Sequence, residues 1–409
     1  MTLESALRFI SQPIRANALP ASLDHMHQLL SILGNPQQAF PSVVVAGSVG
    51  KGTTCHQLAA LMSSNLKVGL YTSPHLHSFR ERFSINDERI SPLAFTNAVS
   101  IIQQAVTQTS ISYSTFEMST ALALWWFTQQ GVDIAVLEIG IGGRIDAVNT
   151  VTNALAVITP IELEHAAMLG GTLRSIAGHK AGIIQPNGYA VSAPQVDEVA
   201  SVLRDEAAAK QADLHFESVD HLALAACQNL IERRLIPPIA LLATAPPITL
   251  AGRMEQHVIS GKTWLIDGAH TLASARRLHS EINRLTTETS IHLIVGMLRD
   301  KAAYDFLAVF DDSRFHIVLV QLDTHRALNA SDLFQSFKPN HAQLTLHPDL
   351  PTALQEAHTA PETWIVVTGS LRTVARSREL LGLLDAAALD EAQLTRDIFE
   401  GAEYLNKLR

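Results

Sequence analysis

Apolar positions along the chain fall into two patterns. Short β-branched runs, apolar at successive positions, occupy Val43–Ala46, Val68–Thr72, Ile134–Ile139, Leu155–Thr159, Trp264–Asp267, His292–Gly296, His316–Val320 and Trp364–Thr368. Longer segments with helical spacing lie between them; in 23–33, for example, Leu23, Met26, Leu30 and Leu33 share one face. Strands without polar alternation are those covered on both faces, and intervening helices supply the covers, so the pattern predicts an α/β fold with a parallel sheet. The alternation lapses in the Pro-rich stretch 235–250, which holds Pro237, Pro238, Pro246 and Pro247, and restarts after it. A larger domain over 1–248 and a smaller one over 249–409 follow. The acidic tail from Asp385 is expected as a solvated, appended helix.

Composition narrows the classes. The 409 residues are 47% hydrophobic with mean hydropathy +0.15, enough to bury two cores. Lys and Arg number 30 against 39 Asp and Glu, a net charge of −9, so no basic surface advertises nucleic acid or an anionic membrane. The densest apolar stretch, 121–127, is far short of the ~20 residues of a membrane span. The N-terminus lacks a basic start followed by an apolar run, and two cysteines, Cys55 and Cys227, cannot build a disulfide framework or a structural zinc site. A cytoplasmic enzyme or binding protein is expected, with a monomer as the default.

Candidate chemistry begins at Val43. An apolar strand runs into Gly47, Ser48, Val49, Gly50, Lys51, Gly52, Thr53 and Thr54, then a helix over 55–63. Glycines let backbone N–H groups close on phosphate oxygens, a helix N-terminus adds positive potential, Lys51 suits β/γ phosphates and the Thr53 hydroxyl suits Mg²⁺. The spacing departs from the strict phosphate-loop pattern, and a tight strand–helix turn is the bland alternative. A second strand delivers Glu138, where a magnesium-binding or water-orienting carboxylate belongs, into a segment with Gly140, Gly142 and Gly143 that would let a substrate approach the backbone. Arg80 and Arg82 are read as either a solvated charged face or a contact to an anionic substrate, His77 as solvated, and Trp125 and Trp126 as core.

These motifs, with Thr72-Ser-Pro-His-Leu76, Phe79-Arg-Glu-Arg82, Thr115-Phe-Glu117, Leu137 to Ala147, Ile158 to His165, Lys180-Ala-Gly-Ile183, Gly252-Arg253, Asp267-Gly-Ala-His270, Val295-Gly-Met297 and Thr368-Gly-Ser370, occur in one order. In that order they resemble the dihydrofolate synthase/folylpolyglutamate synthase family of the Mur ligase superfamily. The resemblance implies a P-loop, Mur-ligase-like central domain with a parallel sheet, carrying ATP and folate, plus a smaller C-terminal Rossmann-like α/β domain. It implies an ATP-dependent amide ligase that phosphorylates a carboxylate and lets the amino group of L-glutamate attack the acyl phosphate. By match to the family, Lys51, Glu138, His165 and Lys180 would be catalytic. The loop 47–54 with Arg253, Asp267 and His270 would hold ATP. Thr53, Ser73, Glu138, His165 and Lys180 would face two magnesium ions, Lys180 as a carbamate formed with CO₂. Ser73, Pro74, His75, Phe116, Arg144 and Asp146 would meet the acyl substrate, dihydropteroate or a folate, with Asp146 accepting N–H bonds from a pterin edge. Without their surrounding motifs, His165 would read as an interior histidine and Lys180 as a helix-surface lysine.

Five positions depart from the family pattern: Val49 for Asn, Glu162 for Gly, Glu164 for Asp, His179 for Glu and Thr271 for Asn. Val49, Glu162 and Glu164 among them motivate a second reading, the same ligase chemistry on a non-folate acid or another amine. A third reading, a non-catalytic nucleotide-binding protein, sits poorly with retention of the lysines, Glu138, Asp267 and His270.

Overall fold

A computed structural model of the chain describes residues 1–12, 22–239 and 244–407. The chain forms two compact units, Met1–Ile248 with Leu394–Arg409, and Thr249–Gln393. Part of the Pro-rich boundary, 240–243, lies outside the described residues.

The described residues of the first unit form eight strands: β1 (Ser42–Ala46), β2 (Val68–Tyr71), β3 (Phe83–Ile85), β4 (Glu88–Arg89), β5 (Ile134–Glu138), β6 (Leu155–Ile158), β7 (Tyr189–Ser192) and β8 (Asp213–Phe216). Their order is β4-β3-β2-β5-β1-β6-β7-β8. All pairings are parallel except β2–β3 and β3–β4. The central strands are fully buried, and alternate residues serve two cores: Val44, Ala46 and Leu137 pack on one face, Val43, Val45 and Val136 on the other. Trp126 is buried and Trp125 packs beside it in the first of these cores, as expected.

The second unit carries β9 (Glu255–Ile259), β10 (Lys262–Ile266), β11 (Ile291–Val295), β12 (Phe315–Val320), β13 (Gln343–His347) and β14 (Trp364–Thr368) in the order β13-β12-β11-β14-β10-β9. Only β9–β10 is antiparallel.

The tail corrects an expectation. Residues from Leu394 group with the first unit, so the second ends at Gln393. On the helix Ala386–Lys407, Leu394 and Ile398 are one turn apart and enter the first unit's core, and the Phe399 ring stacks on Phe79 with centroids 5.1 Å apart. That segment is a packing element, not a solvated appendage. Both cysteines are free and buried, and among the described residues no helix is long and apolar enough to cross a membrane.

Candidate active site

Three adjacent parallel strands, β5, β1 and β6, end side by side, with Val45 paired to Glu138 and Ala46 to Ile158. The glycine loop after β1, the carboxylate ending β5 and Thr159 after β6 therefore share one rim of the sheet, where α/β folds place ligands. The loop is tightly specified. Gly47 has φ +146°, and a Cβ there would lie 1.8 Å from Thr159 Oγ1. Gly50 takes the left-handed conformation and starts the helix Lys51–Met62, four residues earlier than the apolar spacing indicated. Thr54 N–H makes the first bond back to the Gly50 carbonyl, so the amides of Lys51, Gly52 and Thr53 form the open N-terminal turn. The amides of Ser48 and Val49 both donate to the Pro160 carbonyl, at 2.9 and 3.2 Å. Val49 is not among the residues with positive φ, so the Asn-to-Val change sits in ordinary backbone.

Two lysines converge on this loop. Lys51 Nζ donates to the Gly47 carbonyl at 3.1 Å, and Lys180 Nζ donates to the same oxygen at 2.5 Å. Lys180 closes the helix Leu173–Ala181 and is 3% exposed, so the helix-surface reading fails. Close backbone packing puts it there: a Cβ on Gly143 would fall 2.7 Å from the His179 carbonyl, so only glycine lets that turn lie against the helix. The Arg144 amide then bonds the same carbonyl at 2.8 Å. The Arg144 guanidinium, expected to meet substrate, instead binds Glu206 at 2.8 Å and the Gly178 carbonyl. The Gly178 bond ties the turn to the helix carrying Lys180, and the Glu206 bond ties it to the helix Asp197–Ala209.

Glu138 is buried, and its Oε2 accepts the Ser73 amide at 3.0 Å. Ser73 precedes Pro74 through a cis peptide bond. The turn after them is pinned by Glu81, whose carboxylate accepts the amides of Leu76, His77 and Ser78. Sequence reasoning gave Glu81 no role, although Ser78-x-x-Glu81 is a capping-box pattern. Arg82 donates to His75 Nδ1 at 3.0 Å, and burial followed by the Arg82 charge keeps the His75 imidazole well below its usual range. Arg80 is buried against the Ile90 carbonyl, and His77 is buried too, so neither forms a solvated face.

His165 and Glu164 lie beyond β6. His165 is exposed, not interior, and holds φ +52°, a left-handed geometry in which histidine is over-represented. Its Nε2 is 3.7 Å from Glu164 Oε1, and Glu164 Oε2 is buried without a hydrogen-bond partner among the described residues. Gln195 clamps this segment, accepting the Ile161 amide and donating to the Thr159 carbonyl. Little in the local sequence points to Gln195, since its partners on this segment are more than thirty residues away and only Ser192 is near.

Phe116 and Asp146 meet at Gly140. A Cβ there would be 2.6 Å from Phe116 Cζ, and the Gly140 amide donates to Asp146 Oδ2. Asp146 also accepts the amides of Ile141 and Val148.

Burial, then the Lys51 charge, brings Lys180 down to about 7, against upward pulls from Glu164 and Asp146. Burial pushes Asp146 up to about 7, against its backbone donors and Lys51. Above pH 7 the unfolded chain keeps the lysine proton up to the ordinary 10.5 while the folded state sheds it, so stability should rise with pH across that window. Below pH 7 both states hold the proton and the cost of burying the ammonium is present in full. Asp146 works oppositely between its ordinary 3.8 and about 7: the folded state retains a proton the unfolded state has lost, and stability falls as pH rises. Urea midpoints in metal-free, degassed buffer should therefore climb from pH 7 to 9, and Lys180→Met should flatten that limb. A variant profile parallel to wild type would contradict the buried amine.

In the second unit, Asp267, Gly296 and Thr368 lie at the C-terminal ends of β10, β11 and β14, adjacent in the sheet. The buried Asp267 accepts the amides of Met254 and Ala269 at 2.9 Å each. His270 Nδ1 is held by the Gly268 carbonyl, and Arg253 is exposed with Nη1 close over Gly268. Thr271 caps the helix Leu272–Leu285, its side chain accepting the Ser274 amide. Asn caps as well as Thr. Thr271→Asn should leave the melting temperature unchanged and turnover within about twofold of wild type, while Thr271→Ala should cost about 1 kcal/mol in a denaturant titration.

Comparisons with known proteins identify relatives over most of the chain. Residues 252–371 match the Mur ligase, glutamate ligase domain. The chain is 30% identical to the dihydrofolate synthase/folylpolyglutamate synthase of Mycobacterium tuberculosis, over 88% of this chain and 90% of that one. A folylpolyglutamate synthase of Lacticaseibacillus casei is 41% identical over a shorter stretch, 43% of this chain and 42% of that one. Among solved structures, E. coli FolC in complex with DHPP and ADP superposes with a TM-score of 0.82 at 26% identity, covering 94% of this chain and 98% of that one. With a glycine loop and a strand-end carboxylate on one rim of the sheet, a buried helix lysine reaching that loop, and likeness at this identity over nine-tenths of the relative, the chain belongs to the dihydrofolate synthase/folylpolyglutamate synthase family of ATP-dependent ligases.

Proposed function

We propose that this enzyme joins L-glutamate to dihydropteroate, to reduced folates, or to both, in the cytoplasm. The observation that carries the acid assignment is the Phe116–Gly140–Asp146 contact: an aromatic face beside a buried carboxylate suits a pterin ring with an amino-pyrimidine edge. The departures at Val49 and Glu162 do not argue for another acid, because their backbone groups face the phosphate loop and Pro160, with Glu162 bonded to the Ser48 hydroxyl.

A carboxylate is inert to amines until one of its oxygens becomes a leaving group. In the proposed sequence that oxygen attacks the γ-phosphorus of ATP and ADP departs. The glutamate amine then attacks the acyl carbon, phosphate leaves, and the nitrogen loses a proton to form the amide. Lys51 and the open amides of its helix would hold the phosphates and neutralise their charge. Arg253, Asp267 and His270 are assigned to ATP on the family resemblance. Thr53, Ser73 and Glu138 offer the oxygen donors magnesium prefers, and the unpartnered Glu164 oxygen marks a further place for positive charge. Bound there with His165 and a Lys180 carbamate, magnesium would supply charge neutralisation for phosphoryl transfer. A lysine amine lowered to about 7 is the form that reacts with CO₂, the nitrogen losing its proton as the carbamate forms.

Phosphate release from ATP and Mg²⁺ with L-glutamate tests the reading, comparing 7,8-dihydropteroate with tetrahydrofolate and omitting each component in turn. Turnover should require both acid and amine. An ATP-binding protein silent with both pterins would overturn the folate assignment, and ATP hydrolysis independent of acid and amine would overturn ligation.

A further inference from the structure

The second unit has a cluster at the opposite end of its sheet from Asp267, Gly296 and Thr368. His292 and His316 are the second residues of β11 and β12 and are register partners. Partners on neighbouring parallel strands project from the same face, so the two rings meet, with centroids 5.0 Å apart. Glu362, two residues before β14, completes the group: its carboxylate oxygens lie 3.8 Å from His292 Nδ1 and 3.7 Å from His316 Nδ1.

Those distances are too long for hydrogen bonds. His292 is 1% exposed, and neither of its ring nitrogens has a hydrogen-bond partner among the described residues. Glu362 Oε2 is likewise buried and unpartnered. Leaving three polar atoms unsatisfied beside one another is costly, and native proteins seldom accept that without a use for the site. One donor atom from each residue can be chosen so that all lie within 4.8 Å of one another.

We propose that His292, His316 and Glu362 bind a divalent transition-metal ion of the zinc class, with a fourth position left for water. Two imidazoles and one carboxylate suit zinc, cobalt or nickel and not magnesium, which selects oxygen donors. Metal–ligand bonds of ~2.0–2.2 Å need the donors drawn slightly closer, which side-chain rotation provides. His316 is less buried than its partners and gives the entry path. The ion would cross-link β11, β12 and the segment entering β14, and would satisfy the atoms that burial strands. It is separate from the magnesium residues, none of which lies in this unit.

The test uses the tag-free full chain, stripped with EDTA and titrated with Co²⁺ and Zn²⁺. One equivalent of Co²⁺ should give visible ligand-field absorption, and Zn²⁺ should displace it and raise the melting temperature. His316→Gln, the partly exposed ligand, should weaken binding at least ~100-fold while ligase turnover stays at wild-type level. Glu362→Gln gives a second variant should the first fold poorly. The signal should survive Glu138→Gln, which separates it from metal at the phosphate loop. Absence of the signal in folded wild type, its retention in both cluster variants, or its loss in Glu138→Gln alone would each overturn the proposal.

Discussion

Lys180→Ala should fold, still bind ATP, and lose ~10²–10³-fold in turnover, the cost typical of removing one charge-stabilising group from a transferring centre. The expectation rests on where the amine sits. It is nearly inaccessible, it touches the Gly47 carbonyl that also receives Lys51, and its charge is suppressed by burial and by that second lysine. A lysine kept there only to brace the loop would act through nucleotide affinity, so Lys180→Ala would raise the ATP dissociation constant along with any fall in rate. A lysine that becomes a carbamate acts on the chemical step. The rate should then fall with ATP affinity nearly unchanged, and wild type should slow in CO₂-depleted buffer and recover with bicarbonate. Lys180→Met, which keeps the packing volume but has no amine, should behave as Lys180→Ala and ignore bicarbonate. Wild-type rates in either variant would remove Lys180 from catalysis.

Much of this arrangement is legible in the chain itself, for physical reasons. All eight apolar runs became strands, since a strand covered on both faces must be apolar throughout. Most strands that patterning missed are short or peripheral, the interior and largely buried β7 excepted. β4 has two exposed residues, and β8 and β13 are edge strands whose residues remain largely exposed or half-buried, so no apolar run marks them. The glycine loop and Glu138 could be located because each adjoins an apolar strand in the sequence itself. The burial of Lys180 could not, since the backbone that encloses it comes from Gly47 and Gly143, distant in sequence. The same holds for Arg144, whose partner Glu206 lies on another helix, and for the tail, whose few apolar residues find their core in the first unit. Resemblance supplied the candidate residues; the partners that Arg144 finds are set by packing.

Gly47→Ala should abolish measurable ATP binding and turnover, whereas Gly50→Ala should cost only about 1 kcal/mol of stability and a modest loss of affinity. Both glycines have positive φ, so both substitutions force an L-residue into disfavoured backbone. They differ in space. A Cβ at Gly50 meets nothing within 4 Å, while at Gly47 it would lie 1.8 Å from Thr159 Oγ1, 2.9 Å from Thr159 Cβ and 3.0 Å from the Thr159 carbonyl. Side-chain rotation cannot clear a contact that includes backbone and Cβ, so β1 and β6 must part at the rim where the site is built. The displacement is not local, because the Gly47 carbonyl accepts both Lys51 and Lys180, and moving it moves both lysines. Thr159→Ala in the Gly47→Ala background removes the worst contact but not the backbone ones, and should restore fold stability further than it restores ATP binding. Isothermal titration with ATP analogues and denaturant midpoints on the three variants would decide the matter. Equal, mild effects of Gly47→Ala and Gly50→Ala would mean that the loop tolerates a side chain against Thr159, and that the two lysines are not held by the geometry on which the catalytic reading depends.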